Sequence, residues 1–370
     1  MIETVENLAG CLGDWDALSV ELGRPFCAPA WLLAWWRHVA PAEAELRVLV
    51  AHDGDEMVGV APWYVEDAGR RRGRYRPLGS DTCARVEPLC RPGREEEVAG
   101  AFAEALARAQ PRPALLTFEG IDSRSPWPQL MRGGWPAGRR PWVGRMRSDA
   151  APTIDLESRD FDEWFKSKTS HFRQRMRRSR KDFEAAGGTY RLSDRADLES
   201  DIEALARLHK ERWAHRGGTG AFRDGVEGML ADAGRELVDS GRFRLWSLEL
   251  DDETISSHLL IVAGSEFGYW LTGFDADHAK ISPARLGILN SVEDAATQGA
   301  ERVDLGEGHS PYKYRFADGE DRLDWLWLVP PGGTAPMVRA GLLPRRMRRV
   351  ASERMPSGMK ARMNRVLRRR

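Results

Sequence analysis

FRLWSLELDDETISSHLLIVAGSEFGYWLTGF, residues 243–274, decides the fold class. Two apolar runs, Phe243–Leu250 and Thr254–Ala263, are joined by Asp251-Asp252-Glu253, and a third, Glu266–Phe274, follows Gly264-Ser265. Strand-length runs broken by short acidic or glycine-bearing turns read as consecutive hairpins of one sheet. The pattern then changes. Asp275–Pro283 is rich in turn residues, and Ala284–Gln298 reads as a helix closed by Gly299 as a left-handed cap. A short strand, Arg302–Leu305, ends in Gly306-Glu307-Gly308. Three strands, a helix and a strand that re-enters the sheet make an α/β class with a mixed sheet.

Upstream, Ile202–His215 reads as a helix with Ile202, Leu205, Leu208 and Trp213 on one side. The first half carries the same theme. Helices are expected at Trp15–Leu22 and Pro29–Ala40, the second with Trp31, Leu32, Trp35 and Val39 at three- and four-residue steps. Strands are expected at Leu46–Ala51 and Met57–Val65 around His52-Asp53-Gly54-Asp55, then a helix over 94–110 and a strand at Ala114–Ile121. Arg47–Gly59 and Arg244–Ser256 both run basic residue, apolar strand, acidic turn, Glu, second strand, at a constant offset of 197 residues. A chain of 370 residues is long for one core, so a duplicated α/β unit fits the length. The expected division is 1–150, 151–330 and a tail, 331–370.

Composition excludes several classes. Hydrophobic content of 42% and charged content of 30% are those of a globular protein, and no run approaches the roughly 18 apolar residues of a membrane span. Met1–Glu6 has neither a basic nor an apolar signal region, so a cytoplasmic protein is expected. Cys11, Cys27, Cys83 and Cys90 form no C-x-x-C pair, and no histidine lies at ligand spacing, so no metal is expected and reduced thiols are the plain reading. The zero net charge hides an asymmetry. Residues 331–370 hold twelve Lys or Arg against one acid, Glu353, leaving 44 basic against 55 acidic side chains, a net of −11, in the rest. The tail's helix, Met355–Leu367, sets Met359, Met363, Val366 and Leu367 on one face among arginines. Such a tail suits an anionic membrane or RNA; a solvated tail is the alternative.

Several blocks, in order, resemble the CelD-type (BioF2-like) acetyltransferase branch of the GNAT superfamily, itself similar to the Fem-type aminoacyl and peptidyl transferases. They are Pro25-Phe26 through Trp31, Trp35 and Trp36; the basic segment Ser167–Lys181; Leu208-His209-Lys210-Glu211-Arg212-Trp213; Leu271–Asp275; Ser282-Pro283; and Pro311-Tyr312-Lys313-Tyr314-Arg315-Phe316. The resemblance implies two tandem GNAT-like domains with mixed sheets followed by the basic helical tail, the second domain keeping the active cleft. It also implies an N-acyltransferase that passes an acyl group, acetyl first, from acyl-CoA to an amine of a small molecule or a nucleotide-sugar-like envelope precursor. Two rivals stay open: aminoacyl transfer from aminoacyl-tRNA, and a binding module with a degenerate cleft. Acetyl-CoA enzymes of this fold carry Q/R-x-x-G-x-G/A at the start of the central helix; Lys280–Gly287 departs from it, as is common in the Fem-like branch. No nucleophilic triad, Walker loop or DNA-reading motif stands out.

Candidate site residues follow. The first amides of the Ser282–Gly287 turn have no intrahelical acceptor and suit a phosphate or pyrophosphate, with Ser282 as N-cap, Pro283 in the first position and Arg285 adding charge. On this reading Ser282, Ala284, Arg285 and Gly287, with Tyr269 on the diverging strand, hold the donor; an ordinary capped helix is the alternative. Trp270 beside Tyr269 reads better as core. Lys313 at the cleft mouth could bind a phosphate or steady the oxyanion, and Tyr312 could protonate the leaving group. Glu307 and His309 are candidate bases for the attacking amine, with His258 a further histidine of the region. Lys166–Lys181, on an expected helix, could clamp the phosphates of a nucleotide-sugar or a tRNA, as could the 339–370 region.

Overall fold

The computed structural model describes residues 1–342 except Arg70, Ala137, Arg139 and 215–220. The first half runs α1 (Leu12–Glu21), α2 (Pro29–His38), β1 (Glu45–Asp53), β2 (Glu56–Glu66), β3 (Arg72–Pro77), β4 (Leu89–Cys90), α3 (Glu95–Arg108), β5 (Arg112–Asp122), α4 (Trp127–Gly133) and β6 (Trp142–Asp155). The second opens with α5 (Phe161–Ser167), α6 (Ser170–Ala185) and β7 (Thr189–Leu192). It continues with α7 (Leu198–Ala214), α8 (Val226–Leu237), β8 (Phe243–Leu250), β9 (Glu253–Ala263), β10 (Glu266–Phe274), α9 (Pro283–Thr297), β11 (Arg302–Asp304) and β12 (Gly319–Val329).

The expected hairpin turns hold. Asp251 and Asp252 both take positive φ, 51° and 60°, the backbone that a two-residue turn matching the strand twist requires. Gly299 (φ 76°) closes α9 as expected. The basic segment differs from its reading as one helix. It breaks after Ser167, because Thr169 caps a new helix by accepting a hydrogen bond from the Phe172 N–H, while Asp160 and Glu163 form a reciprocal cap on α5.

The described strands form one twelve-stranded sheet in the order β1-β2-β3-β5-β12-β6-β11-β10-β9-β8-β7, with β4 on β2. The two halves repeat one motif: two helices, an antiparallel hairpin, a third strand, a helix, and a strand parallel to the third. β3 pairs parallel with β5 as β10 does with β11. Arg47 and Arg244, the residues that open the repeat at an offset of 197, are both buried in equivalent strands, β1 and β8. The closing strands are exchanged: β6 pairs with β11 of the second half, β12 with β5 of the first, and β6 and β12 pair with each other. Neither half therefore leaves an open edge at the seam.

Alternating strand residues serve two faces. Met57, Val60, Leu259 and Ile261 join α1, α2, α7 and α8 in one core shared by both halves. On the other face Val58 and Trp63 pack under α3 and α4, and Leu260 and Val262 under α5, α6 and α9. The seam is also tied by charge. Arg85 of the first half donates to Asp304 and, at 2.9 Å, to Asp321 of the second. The region read as tail is docked at its start: residues 335–342 are helical, with Ala335 and Leu342 buried against Leu115 and Trp327. The expected helix at Met355–Leu367 lies outside the described residues.

Candidate functional site

β10 and β11 run together only from Glu266–Gly268 against Arg302–Asp304. Beyond that, β11 stops and the chain turns away at Gly306 (φ 75°) and Gly308 (φ 106°), while β10 continues to Phe274. A register shift between Tyr269 and Leu271 takes Trp270 out of the ladder with β9. A bulge beside an unpaired edge re-aims backbone groups, and here it opens the sheet.

Two cavities flank this split and share no lining residue. The first, about 290 Å³, is walled by Arg175 of α6, Arg212 of α7, Thr272 and Phe274 of β10, the start of α9 and Tyr312. Ser282, Ala284 and Arg285 all line it. Ser282 stands before α9 but does not cap it: its φ is 61°, and its hydroxyl lies 3.5 Å from the carbonyl of Ala279. The Arg285 N–H is taken by the Ser282 carbonyl at 2.9 Å and Pro283 has none, so the Ala284 N–H is the first-turn donor left to a ligand or solvent. Burial, and the nearby Arg175 and Arg315, lower the Arg285 pKa. Among the described residues no carboxylate pairs with Arg175, Arg285 or Arg315. Three guanidiniums near a helix N-terminus have the charge to suit an anion. A groove of about 620 Å³ continues from Arg285 and Arg175 past Arg315 to Thr169, His171 and Lys168. Tyr312 borders the first cavity, and burial raises its hydroxyl pKa, so it keeps its proton.

Gly287 does not face this cavity. It lies under the ring of His258, where a Cβ would meet Nε2 at 1.8 Å, so its role is close packing of α9 on β9. His258 is itself buried, its Nδ1 2.6 Å from the Tyr269 hydroxyl and its Nε2 2.8 Å from Ser256 Oγ. Tyr269, expected on the donor side, is committed to this buried pair and borders the second cavity instead.

The second cavity, about 220 Å³, lies between the two halves. Phe26 and residues 80–85 come from the first half, Arg147 from β6, Trp270 from β10, Asp304–Glu307 from the end of β11, and Trp325 from β12. Trp270 is half-buried, packs edge-on to Trp31 and donates to the Thr82 carbonyl at 3.0 Å, which makes it wall and core at once. Burial pushes the Asp304 carboxyl up, but Arg85 beside it outweighs this and holds its pKa low. Glu307 pairs with Arg147 at 3.1 Å.

Lys313 is not the exposed cation at the cleft mouth that the sequence suggests. It is buried behind the split and donates to the carbonyls of Gly306 (3.1 Å) and Glu307 (2.8 Å). His309 points to solvent, stacked on Tyr314 with 70% of its side chain exposed, and lines neither cavity. The sequence reading took in Arg175 within Lys166–Lys181 but missed Arg85, Arg147, Asp304 and Trp325. Only their clustering across distant segments of the chain marks them, and no local pattern carries that.

Residues 170–314 match the family described as the Acetyltransferase (GNAT) domain. This chain carries a GNAT acetyltransferase domain. That domain makes the chain a transferase. Over nearly its whole length it also shares a fold with FemX, at 12% identity and a TM-score of 0.64, covering 89% of this chain and 98% of that one. The C-terminal domain of a putative lysylphosphatidylglycerol synthetase from Agrobacterium fabrum gives 11% identity and a TM-score of 0.55, covering 89% and 94%. L-PGS from Bacillus licheniformis gives 12% and 0.52, covering 85% and 96%. No curated protein matches the chain in sequence. Among the described residues no helix of the chain is long and apolar enough to cross a membrane.

Proposed function

We propose that this GNAT protein is an N-acyltransferase that takes an acyl group, acetyl first, from acyl-CoA and passes it to the amine of a small molecule or envelope precursor. The observation that carries this reading is the cluster of Arg175, Arg285 and Arg315 at the start of α9, cations with no carboxylate partner among the described residues and suited to a pyrophosphate. The chemistry is assigned to the second half alone, residues 151–330. The first turn of α3, its counterpart in residues 1–150, holds Glu95, Glu96 and Glu97, which repel a phosphate.

In this reading the donor lies in the first cavity, with its carbonyl at the unpaired edge of β10 beyond Tyr269. Backbone N–H groups there meet the charge that develops on the carbonyl oxygen. The amine nitrogen attacks the carbonyl carbon from the second cavity, its proton passes to a carboxylate such as Glu307, and the thiolate leaves with the Tyr312 proton. Free thiols at Cys11, Cys27, Cys83 and Cys90 fit a cytoplasmic setting.

A second reading, transfer from aminoacyl-tRNA, is favoured by the groove of about 620 Å³ beyond Arg285 and by the fold shared with lysylphosphatidylglycerol synthetases. Either a tRNA or an anionic membrane could then meet the basic face of α6. Melting curves with coenzyme A, acetyl-CoA and charged tRNA separate the readings, because a ligand at 100 times its Kd adds about 2.7 kcal/mol of stability. Stabilisation by both coenzyme A forms is expected, with Arg285→Gln weakening the donor about tenfold while the melting temperature without ligand barely moves. Stabilisation by charged tRNA alone moves the assignment to the second reading.

A further inference from the structure

Arg147 and Glu307 form the one part of the second cavity whose charges are loosely engaged. The Arg147 guanidinium lies flat over the Trp325 ring, 3.2 Å from its centroid. Its Nη2 donates to Glu307 at 3.1 and 3.4 Å, and its Nη1 to Asp149 at 3.4 Å. Charge-assisted bonds of this kind usually run about 2.7–2.9 Å. The other charged groups of the cavity are taken: Arg85 by Asp304 and Asp321, and Asp81 by Arg223 at 2.6 Å. Glu307 is 44% exposed and can turn, whereas Arg147 is 16% exposed and clamped on its ring.

We propose that this cavity takes a zwitterionic amine, its carboxylate on Arg147 and its ammonium on Glu307. This rests on the reading of the chain as a transferase to amines. The ligand's carboxylate replaces that of Glu307 on a guanidinium whose plane Trp325 already fixes, so the fork is set for two parallel bonds. Glu307 swings to the ammonium. Every charge keeps a partner, so no ion is left unpaired in a partly buried site. An amine without the carboxylate has to draw Glu307 away from Arg147 and leaves the guanidinium short of a partner. A volume of about 220 Å³ lies below the roughly 300–1,000 Å³ of drug-sized sites, which holds the ligand to about the size of a single amino acid.

The test is calorimetric titration of the full chain, with no acyl donor present, using matched pairs: glycine and methylamine, L-lysine and cadaverine, L-phenylalanine and phenethylamine. In at least one pair the carboxylated member is expected to bind about tenfold tighter or more, as one charge-assisted contact supplies. Arg147→Lys keeps the charge but loses the fork, and should erase most of that preference; its melting temperature reports whether the fold is intact. Glu307→Gln should weaken the zwitterion with Arg147 unchanged. Equal binding within every pair, no binding by any carboxylated member, or a preference that survives in a folded Arg147→Lys protein each overturns the proposal. Because no donor is present, a failure of acyl transfer would refute the proposed function without touching this result.

Discussion

Lys313 lies with its ammonium between the carbonyls of Gly306 and Glu307, and burial lowers its pKa in spite of nearby Asp304, Glu307 and Asp149. A cation spent on two backbone acceptors holds the loop that carries Glu307, so it acts through position. Lys313→Met leaves those carbonyls without their donor, and removing a partner from a buried polar group costs about 1–3 kcal/mol. The expected outcome is a melting temperature several degrees lower together with a lower kcat, read by thermal unfolding and steady-state assay. An unchanged melting temperature would show that the ammonium does not hold the loop. Arg285 is the opposite kind of residue, a half-buried cation beside two more cations. Among the described residues no carboxylate uses its charge, which is why it suits a ligand.

α9 brings a cluster of cations and a buried histidine together at one junction. Its first turn faces the first cavity, while Gly287 on its inner side lets it close onto His258 of β9. Burial, with a smaller contribution from Arg212, pulls the His258 pKa from 6.5 down to about 3. The folded protein therefore keeps this ring neutral where the unfolded chain protonates it. Between about pH 6.5 and pH 3 the unfolded state binds more protons, so stability is lost as pH falls through that window and is level above it. His258→Gln, which cannot titrate, should lose less stability on acidification than the parent, as denaturant midpoints at pH 7 and pH 4.5 would report. Equal acid sensitivity would mean that other groups carry the decline. The same element contrast runs between the halves. α9 begins among arginines and α3 among three glutamates, so equivalent helices present opposite charge to a phosphate.

Across the whole molecule the exchanged strands make the two repeats one folding unit. β12 lies between β5 and β6, and β6 lies between β12 and β11, so neither half can keep its sheet without a strand from the other. The core under α1, α2, α7 and α8 is likewise shared. Calorimetry is expected to show a single cooperative unfolding transition, with calorimetric and van't Hoff enthalpies in agreement. Two separable transitions would mean that the halves fold independently in spite of the exchange. The second cavity depends on this seam, because its walls come from both halves and from both exchanged strands.

What the sequence determined by itself is local and periodic. The run Phe243–Phe274 places β8, β9 and β10 to within a residue, because alternation, acidic turns and strand length are all written in consecutive residues. The start of α9 was legible for the same reason, through Ser282-Pro283 and the helix behind them, and Ala284, Arg285 and Tyr312 do border one cavity. The offset of 197 residues already carried the repeat. Tertiary structure alone decided the rest. β6 and β12, with Arg147, Asp149, Asp321 and Asp324 among their apolar residues, have no clean alternation, since they are buried by pairing with distant strands. Whether Lys313 faces solvent or two carbonyls depends on the turn at Gly306, and whether Gly287 meets a ligand or His258 depends on how α9 seats. Both are contacts between residues far apart in the chain or set by an unpaired loop, and spacing along a sequence holds no record of them.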